Sequence, residues 1–528
     1  MHGLVQHASK IDSPQERPYL LRSSRGRPRR RFARLLILAL AILFAALIIA
    51  VIEWPFTRKK VIADLADAMQ GKVEIGRFHR TYFPHIGCVA EDVTFTGYGN
   101  LANSTPMTVR KLTIQDSIRG LFTHHVPVMR AEGVHLVAAR ADSFAGWGTT
   151  NGKEKSPAVV DQLIITESVL EFSSKGAPGL KFEIAELSLI DRGPRAPMQF
   201  AVVLRNPKPP GEVRASGSLG PWSSNNSGQT PVSGKYSFQH ADLSVFHGIA
   251  GTLSSEGSFA GNLHELEISG KTDMPDFELT DTGHKVALST QFRARVNTRH
   301  GDVVLEQVAG RLGRSGVESA GSIAGQPNQP GKTTDLNMAV PNGRIQDFLF
   351  LFLKEKVPPM NGVFSFRGRA VLPSGKEPFT RRVQLEGDFG VDNASLANPV
   401  TQGKLEELSE RAEGQKGEAP ERIVSDLKGH LVLRQGIASF SGLTFRVPGA
   451  KAKLHGTYSL LDYRINLQGR LFTEATLSEA TTGVKSFLLK VISPVLKKNH
   501  HGGGVVALGV TGVYPHPVYK TTPVTKAD

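Results

Sequence analysis

The side chains best suited to chemistry occur in close pairs along the chain. His124 and His125, like His500 and His501, could offer imidazoles to a metal ion, and Glu91–Asp92 and Glu406–Glu407 could offer carboxylates for acid–base catalysis. Adjacent side chains of a strand point to opposite faces, and neither histidine pair has a Cys, Asp or Glu close by in sequence. We therefore expect no metal site, and we expect the carboxylates on the solvated surface.

The chain also lacks the short motifs that carry well-known chemistries. It contains no G-x-S-x-G nucleophile elbow, no G-x-x-x-x-G-K-[ST] phosphate loop, no H-E-x-x-H zinc helix and no C-x-x-C pair. Cys88 is the one cysteine among 528 residues, so no disulfide can form within the chain. The sequence thus predicts a protein that is not an enzyme and that uses no cofactor.

The longest apolar stretch runs from Leu35 to Ile52 without a charged or polar residue. As a helix it would span about 27 Å, close to the roughly 30 Å hydrocarbon core of a bilayer. Lys and Arg are more frequent in the twenty residues before it than in the twenty after it, and the more basic side stays in the cytoplasm. A cleaved signal peptide is the alternative, but 34 residues precede this stretch and no small-x-small site ends it. We predict a basic cytoplasmic tail (residues 1–34), a transmembrane helix (35–53) and the bulk of the chain outside the cytoplasm.

The net charge of +15 suggests nucleic-acid binding, but the position of the charged residues along the chain favours another explanation. Nine Lys or Arg against Asp12 and Glu16 place +7 of it in the first 34 residues, where membrane topology explains it. The remaining charge forms no compact basic stripe and accompanies no nucleic-acid-binding motif. We expect no nucleic-acid partner.

Beyond the predicted anchor, apolar residues at helical spacing between Val61 and Met69 predict a short helix. Short apolar runs bounded by Gly, Pro, Asp or Asn then predict a multi-stranded sheet. These runs are Val73–Gly76, Val89–Phe95, Met107–Ile114, Val126–Arg130, Val134–Ala138, Leu163–Ile165, Val169–Phe172 and Phe182–Ile190.

The last third shows the clearest alternation of apolar and polar residues, which is typical of antiparallel strands with one apolar and one solvated face. The predicted fold is mainly β, with a long antiparallel sheet and a few short helices. The residues predicted to line the apolar face are Val383, Leu385, Phe389, Val391, Leu431, Leu433, Leu454, Tyr458, Ile465 and Leu467.

Four segments interrupt the strand pattern. Residues 206–232 are predicted to form a loop or linker between two β-rich regions, 54–205 and 233–528. The polar run 325–334 is predicted to separate the middle strands from the last third of the chain. The pattern of residues 344–354 predicts a short apolar helix, which either packs against the sheet as a plug or contacts a membrane. The pattern of residues 474–498 predicts a basic amphipathic helix, which either packs on the core or lies on a membrane.

Several short segments follow one another in a recognisable order. They are the apolar anchor, the helix with Tyr82-Phe83-Pro84, the segment Lys111–Ile114 with Ser117–Phe122, and Val128–Leu136. Later in the chain come Pro358–Gly362, Leu372–Gly375 and Leu408–Ala412. The first group resembles the opening, and the second the C-terminal region, of the AsmA-like proteins of bacterial inner membranes. The resemblance implies a periplasmic location, a role in outer-membrane biogenesis, and kinship with bridge-like lipid-transfer proteins whose curved sheet carries an apolar groove.

Two arrangements of the alternating strands remain open from the residues themselves. Their apolar faces could close on one another as a sandwich, or curl into a gutter that shields acyl chains, and the resemblance favours the gutter. Our hypothesis is a single-pass inner-membrane protein that binds or transfers phospholipid or another acyl lipid. The alternatives are a non-enzymatic scaffold for an envelope protein partner and, third, an envelope hydrolase.

Overall fold

The computed structural model describes most of the chain beyond the predicted anchor. The described residues are 56–69, 71–97, 106–117, 125–138, 159–174, 177–193, 196–223, 226–327, 331–354, 356–396, 425–447, 450–473, 505–514 and 516–523. The predicted transmembrane helix at 35–53, the amphipathic helix at 474–498 and the segment Leu408–Ala412 lie outside them.

Twenty-four strands form one long, curved, open sheet. The first twelve are β1 (Lys72–Thr81), β2 (Ile86–Thr96), β3 (Met107–Asp116), β4 (His125–Ala138), β5 (Val159–Ser174), β6 (Ala177–Ile190), β7 (Met198–Pro207), β8 (Pro210–Leu219), β9 (Pro231–Asp242), β10 (Ile249–Ala250), β11 (Thr252–Asn262) and β12 (Glu265–Leu279). The others are β13 (Val286–Asn297), β14 (Asp302–Leu312), β15 (Ser315–Gly325), β16 (Lys332–Arg344), β17 (Met360–Leu372), β18 (Gln384–Leu396), β19 (Ser425–Arg434), β20 (Ile437–Val447), β21 (Ala450–Ser459), β22 (Arg464–Thr473), β23 (Val505–Val513) and β24 (His516–Pro523).

The strands pair in chain order, which keeps the topology simple. Each strand pairs antiparallel with its sequence neighbours, except that β4 and β5 run parallel and that β9 pairs directly with β11 while β10 pairs with the end of β12. At about 4.8 Å per strand, this ladder measures about 105 Å along the sheet. The described strands thus form one sheet, not the two facing sheets of a sandwich.

Helices are few and short among the described residues. They are α1 (Arg58–Met69), α2 (Ile345–Phe352) and α3 (Phe379–Arg382), with 3-10 turns at Ser227–Gln229 and Leu243–Val245. Helix α1 confirms the helix predicted between Val61 and Met69, with Val61 as its buried residue. Helix α2 confirms the short helix predicted at 344–354, and it packs against the sheet through Ile345 and Leu351.

The predicted linker at 206–232 was wrong. Strand β8 occupies Pro210–Leu219, and Pro207 pairs with Pro210 across a tight hairpin, so the sheet continues without a break. One side of β8 includes Ala215 and Gly217 in place of larger apolar residues. The alternation of apolar and polar side chains that indicates a strand is therefore weak in this segment. Similarly, the polar run predicted at 325–334 overlaps the last residue of β15 and the first three residues of β16. The two runs predicted within β4, and the two within β5, each belong to one continuous strand.

Candidate functional site

The strand register defines one face of the sheet, which we call the apolar face, because directly paired residues of neighbouring strands share a face. Leu385, Phe389 and Val391 of β18 pair with Ala370, Phe366 and Phe364 of β17. On the other side, they pair with Leu433, Gly429 and Leu427 of β19. Pairs of this kind continue from strand to strand, so the apolar face extends from β1 to β23.

Nine of the ten residues predicted for this face lie on it. Leu431 and Leu433 continue the face from β18 into β19, and Leu454 and Tyr458 continue it from β20 into β21. In β22, Ile465 pairs with Tyr458, and Leu467 pairs with Gly456. The tenth residue, Val383, precedes β18 as the cap of α3, and it packs in a cluster with Leu433 and Ala438.

Sequence reasoning missed the earlier half of this face. Its described members include Phe200, Val202 and Leu204 of β7, Val213 and Leu219 of β8, Phe259 of β11, Ile268 of β12, Phe292 of β13 and Leu305 of β14. β-Bulges shift the sequence alternation in this half; between Leu305 and Val308 of β14, for example, the register shifts by a residue. A search for apolar alternation that allows one-residue shifts would find these strands.

The apolar face is covered unevenly. Val391, Leu433 and Leu454 on this face are 1 to 5% exposed. Leu385, Phe389, Leu431, Tyr458, Ile465 and Leu467 are only half-buried, as are Phe200, Val202 and Leu204. A sealed core would bury such side chains completely, so large parts of this face remain accessible.

Aromatic rings on this face reach over intervening strands. Phe200 of β7 and Phe259 of β11 are separated by β8 and β9, yet their ring centroids lie 6.4 Å apart. Phe389 of β18 and Phe440 of β20 are separated by β19, and their centroids lie 6.0 Å apart. Strands stack about 4.8 Å apart, so both pairs indicate that the sheet curves toward its apolar side.

Glycines lie between these rings. In one cross-strand row, Phe200 is followed by Gly217, Gly234 and Phe259, and in the next row Tyr236 is followed by Gly257, Gly270 and Phe292. A Cβ added at Gly217 would lie 2.0 Å from Ser233 O, and one added at Gly257 would lie 2.2 Å from Ser269 O. Only glycine permits this backbone approach, which lets the strands bend beneath the aromatic rings.

The two long borders of the sheet, which we call rims, are formed by the strand ends. The first rim contains the ends of β9, β12, β14 and β16, and the second contains the ends of β11, β13, β15 and β17. Within the described residues, elements of the two rims touch at a contact that we call the clasp. It comprises residues 247–250 and 280–284 with α2 from the first rim, and residues 373–383 with α3 from the second.

Side chains hold the clasp together across the apolar face. Thr380 Oγ1 donates a hydrogen bond of 2.6 Å to Asp281 Oδ2, and Arg382 Nη2 donates one of 3.3 Å to His247 O. Phe379 packs with Leu279 and Ile249 of the first rim, and it also belongs to a cluster with its neighbour Val383 and with Leu433 of the apolar face. The clasp thus joins opposite ends of strands that are far apart in the ladder.

Helix α2 lies on the apolar face beside this contact. Its Phe348 and Leu351 pack on Leu312, and its Ile345 packs on Val340. Polar groups of the first rim fasten it: Thr282 Oγ1 donates to Leu351 O at 2.8 Å, and His284 Nδ1 donates to Phe350 O at 2.8 Å. Protein side chains therefore cover the first-rim end of the apolar face from β12 to β18.

The opposite face of the sheet is polar and carries ion pairs between neighbouring strands. Lys271 and Glu256 are 2.7 Å apart, Arg434 and Glu386 are 3.3 Å apart, and Arg369 pairs with Asp335. The hydrogen bond from Arg369 lowers the pKa of Asp335, so this carboxylate stays ionised at neutral pH. These exposed pairs solubilise the face and contribute little stability.

Sequence reasoning also missed a concave region of about 920 Å³ on this polar face. Its lining includes three arginines and three glutamates: Arg367, Arg369, Arg434, Glu306, Glu318 and Glu386. Because cations and carboxylates alternate there, the region offers no net charge to select an ionic ligand. Among the described residues, no group of His, Cys, Asp and Glu side chains is placed to hold a metal ion.

No family model and no curated protein matches the chain. Within the part of the chain that the structure describes, none of the helices has the length and apolar character needed to cross a bilayer. The resemblance to AsmA-like proteins accordingly stays a prediction from the sequence.

Proposed function

We propose that this chain is a non-enzymatic lipid-binding protein of the AsmA-like type, which holds the acyl chains of phospholipids along its apolar face. The single observation that carries the proposal is the continuity of that face, whose half-buried aliphatic and aromatic side chains recur from strand to strand. The proposed location is the periplasm, with residues 35–53 as the inner-membrane anchor and outer-membrane biogenesis as the process served.

The chemistry of the face fits hydrocarbon chains better than any compact ligand. Leu, Val, Ile and Phe offer dispersion contacts without fixed polar partners, so they accept an acyl chain in many registers. A phospholipid with two chains of about sixteen carbons would lose on the order of 25 kcal/mol if bare in water, at about 0.8 kcal/mol per CH₂. Transfer across an aqueous space therefore needs continuous apolar cover.

Strand β22 supplies a direct test, because its alternate residues lie on opposite faces. We expect Leu467→Asp, which places a charge on the half-buried apolar face, to weaken binding of a fluorescent phospholipid by the full-length chain at least about tenfold. The matched control is Gln468→Asp, which adds the same charge at an exposed neighbour on the polar face. We expect this control to bind lipid as the unchanged chain does.

The measurement is a titration of the purified full-length chain with fluorescent phospholipid, accompanied by mass spectrometry of lipid that co-purifies. Thermal unfolding of both variants reports whether either change disrupts the sheet. Absence of bound lipid in the unchanged chain, or equal binding by the two variants, would count against the proposal.

A further inference from the structure

We propose that the clasp is a gate, which must open for an acyl chain to pass between the two accessible stretches of the apolar face. This inference rests on the proposed function. One accessible stretch includes β7 and β8, the other includes β22, and the clasp region lies between them along the ladder. A gate at this position would separate the stretch of the apolar face that takes up an acyl chain from the stretch that releases it.

The filled space at the clasp is the first argument. Phe379 belongs to two clusters, one with Leu279 and Leu351 and one with Leu433 and Tyr458, so it joins the first rim to the apolar face of β18 to β21. Helix α2 adds Phe348 and Phe352 to the same space. An acyl chain and these side chains cannot occupy it together, because protein interiors leave few voids larger than a water molecule.

The nature of the contacts is the second argument. Neighbouring strands are joined by continuous backbone ladders, whereas the rims are joined by the side chains of Phe379, Thr380 and Arg382. The elements that meet there are small: α3 has four residues and β10 has two. Segments with few contacts open at lower free energy than sheet cores, so the clasp can separate while the strands stay paired.

The closeness of the contact is the third argument. A Cβ added at Gly248 would lie 2.2 Å from Phe379 Cβ, so the backbone of the first rim lies directly against the first residue of α3. Gly248 has φ +95°, a conformation that glycine adopts readily and other residues rarely adopt. The closed position of the gate is therefore a specific fit between the two rims.

A reversible disulfide across the rims tests the gate. Asp281→Cys with Thr380→Cys replaces the two side chains that share the 2.6 Å hydrogen bond, so a disulfide can form at the same contact. Ser218→Cys with Ser233→Cys is the matched control, because it joins neighbouring strands β8 and β9 on the polar face without joining the rims. The native thiol does not interfere: Cys88 is buried, and burial raises its pKa to about 12.

Transfer of fluorescent phospholipid between vesicles is measured with each full-length variant, oxidised and then reduced. We expect oxidation of the cysteines introduced at positions 281 and 380 to slow lipid transfer at least about tenfold, because the disulfide prevents the gate from opening. We expect reduction of this disulfide to restore the original rate. Oxidation of the control pair should leave the rate unchanged. Equal rates for the oxidised and reduced clasp pair would overturn the gate.

A second crosslink covers the case in which the reduced Asp281→Cys and Thr380→Cys variant transfers no lipid. His247→Cys with Arg382→Cys, bridged by a short bis-maleimide, closes the same contact while the Asp281–Thr380 hydrogen bond stays intact. If this crosslinked variant transferred lipid at the rate of the uncrosslinked variant, the gate would be overturned. If the unchanged chain transfers no lipid at all, the proposed function fails. If the unchanged chain transfers lipid and both locked forms do too, only the gate fails.

Discussion

At the scale of residues, glycines beneath aromatic rings allow the sheet to curve. Gly217 and Gly234 pair directly with each other between Phe200 and Phe259, and the ring of Phe259 covers Gly234. Such aromatic cover compensates for the missing side chain, and the missing Cβ lets neighbouring backbones approach. These glycines are therefore needed for space rather than for flexibility.

Gly217→Ala should destabilise the sheet by about 1–3 kcal/mol, because overpacking forces the backbone to shift. The added Cβ would lie 2.0 Å from Ser233 O and 2.6 Å from Gly234 Cα. The free energy of unfolding in urea, followed by circular dichroism, measures this loss.

The control for Gly217→Ala is Gly316→Ala in β15, where an added Cβ would meet no atom within 4 Å. We expect this control to change stability by no more than about 1 kcal/mol, in the stabilising direction. Equal losses in the two variants would mean that glycine has no special steric role at Gly217.

At the scale of elements, the start of helix α2 has a polar anchor of its own, in addition to the hydrogen bonds at its end and its apolar contacts with the sheet. Asp347 Oδ2 accepts hydrogen bonds from Arg314 N at 3.0 Å and from Ser315 Oγ at 2.8 Å. Ser315 is 0% exposed, and its Oγ in turn accepts a hydrogen bond from Arg344 N at 2.8 Å. The anchor fixes the start of α2 to the turn between β14 and β15.

Asp347→Ala should loosen this end of α2 and cost about 1–3 kcal/mol locally, because the buried Ser315 hydroxyl loses its acceptor at 2.8 Å and keeps only Arg344 O at 3.5 Å. We expect backbone amides of Ile345–Phe352 to exchange with deuterium faster, while amides of β1 to β9 keep their rates. Hydrogen exchange with mass spectrometry resolves the two regions.

Glu318→Ala is the control for the helix anchor, since Glu318 is exposed on the polar face of β15, close in sequence to the same turn. Its amide exchange should match that of the unchanged chain. If α2 exchanged no faster in Asp347→Ala than in this control, the polar anchor would be dispensable.

At the scale of the whole sheet, continuity matters more than any single contact. Leu204, Leu305 and Leu467 belong to strands β7, β14 and β22, yet the register places them on one face. Their chain neighbours Arg205, Glu306 and Gln468 are exposed. A lipid carrier and a protein scaffold differ in which of these two sets meets the partner.

Photoreactive residues at Leu204, Leu305 and Leu467 should capture lipid in cells, because all three positions lie on the proposed path of the acyl chains. The same probe at Arg205, Glu306 and Gln468 should capture none. Mass spectrometry of the adducts distinguishes lipid from protein. Protein adducts at either set, with no lipid adducts, would favour the scaffold alternative over lipid transfer.

Up to Ile190 and in the last third of the chain, the sequence by itself indicated which segments form strands, and in the last third it also indicated which side chains share a face, because both depend on a repeat of two residues along the chain. That is why Leu385, Phe389 and Leu467 were placed correctly, and why α1 and α2 were found from helical spacing. It failed at β8, where Ala and Gly replace the larger apolar residues, and where prolines at the hairpin resemble a linker.

Only the tertiary structure decided how the faces are arranged. Bulges such as the one after Leu305 correct the register between strands, and the pairing of glycines across strands sets where the sheet bends. The clasp joins Asp281 to Thr380, 99 residues apart in the chain, and no local pattern in the sequence encodes that contact. Curvature and closure arise from the sum of many pairings, and so they appear only when the whole sheet is assembled.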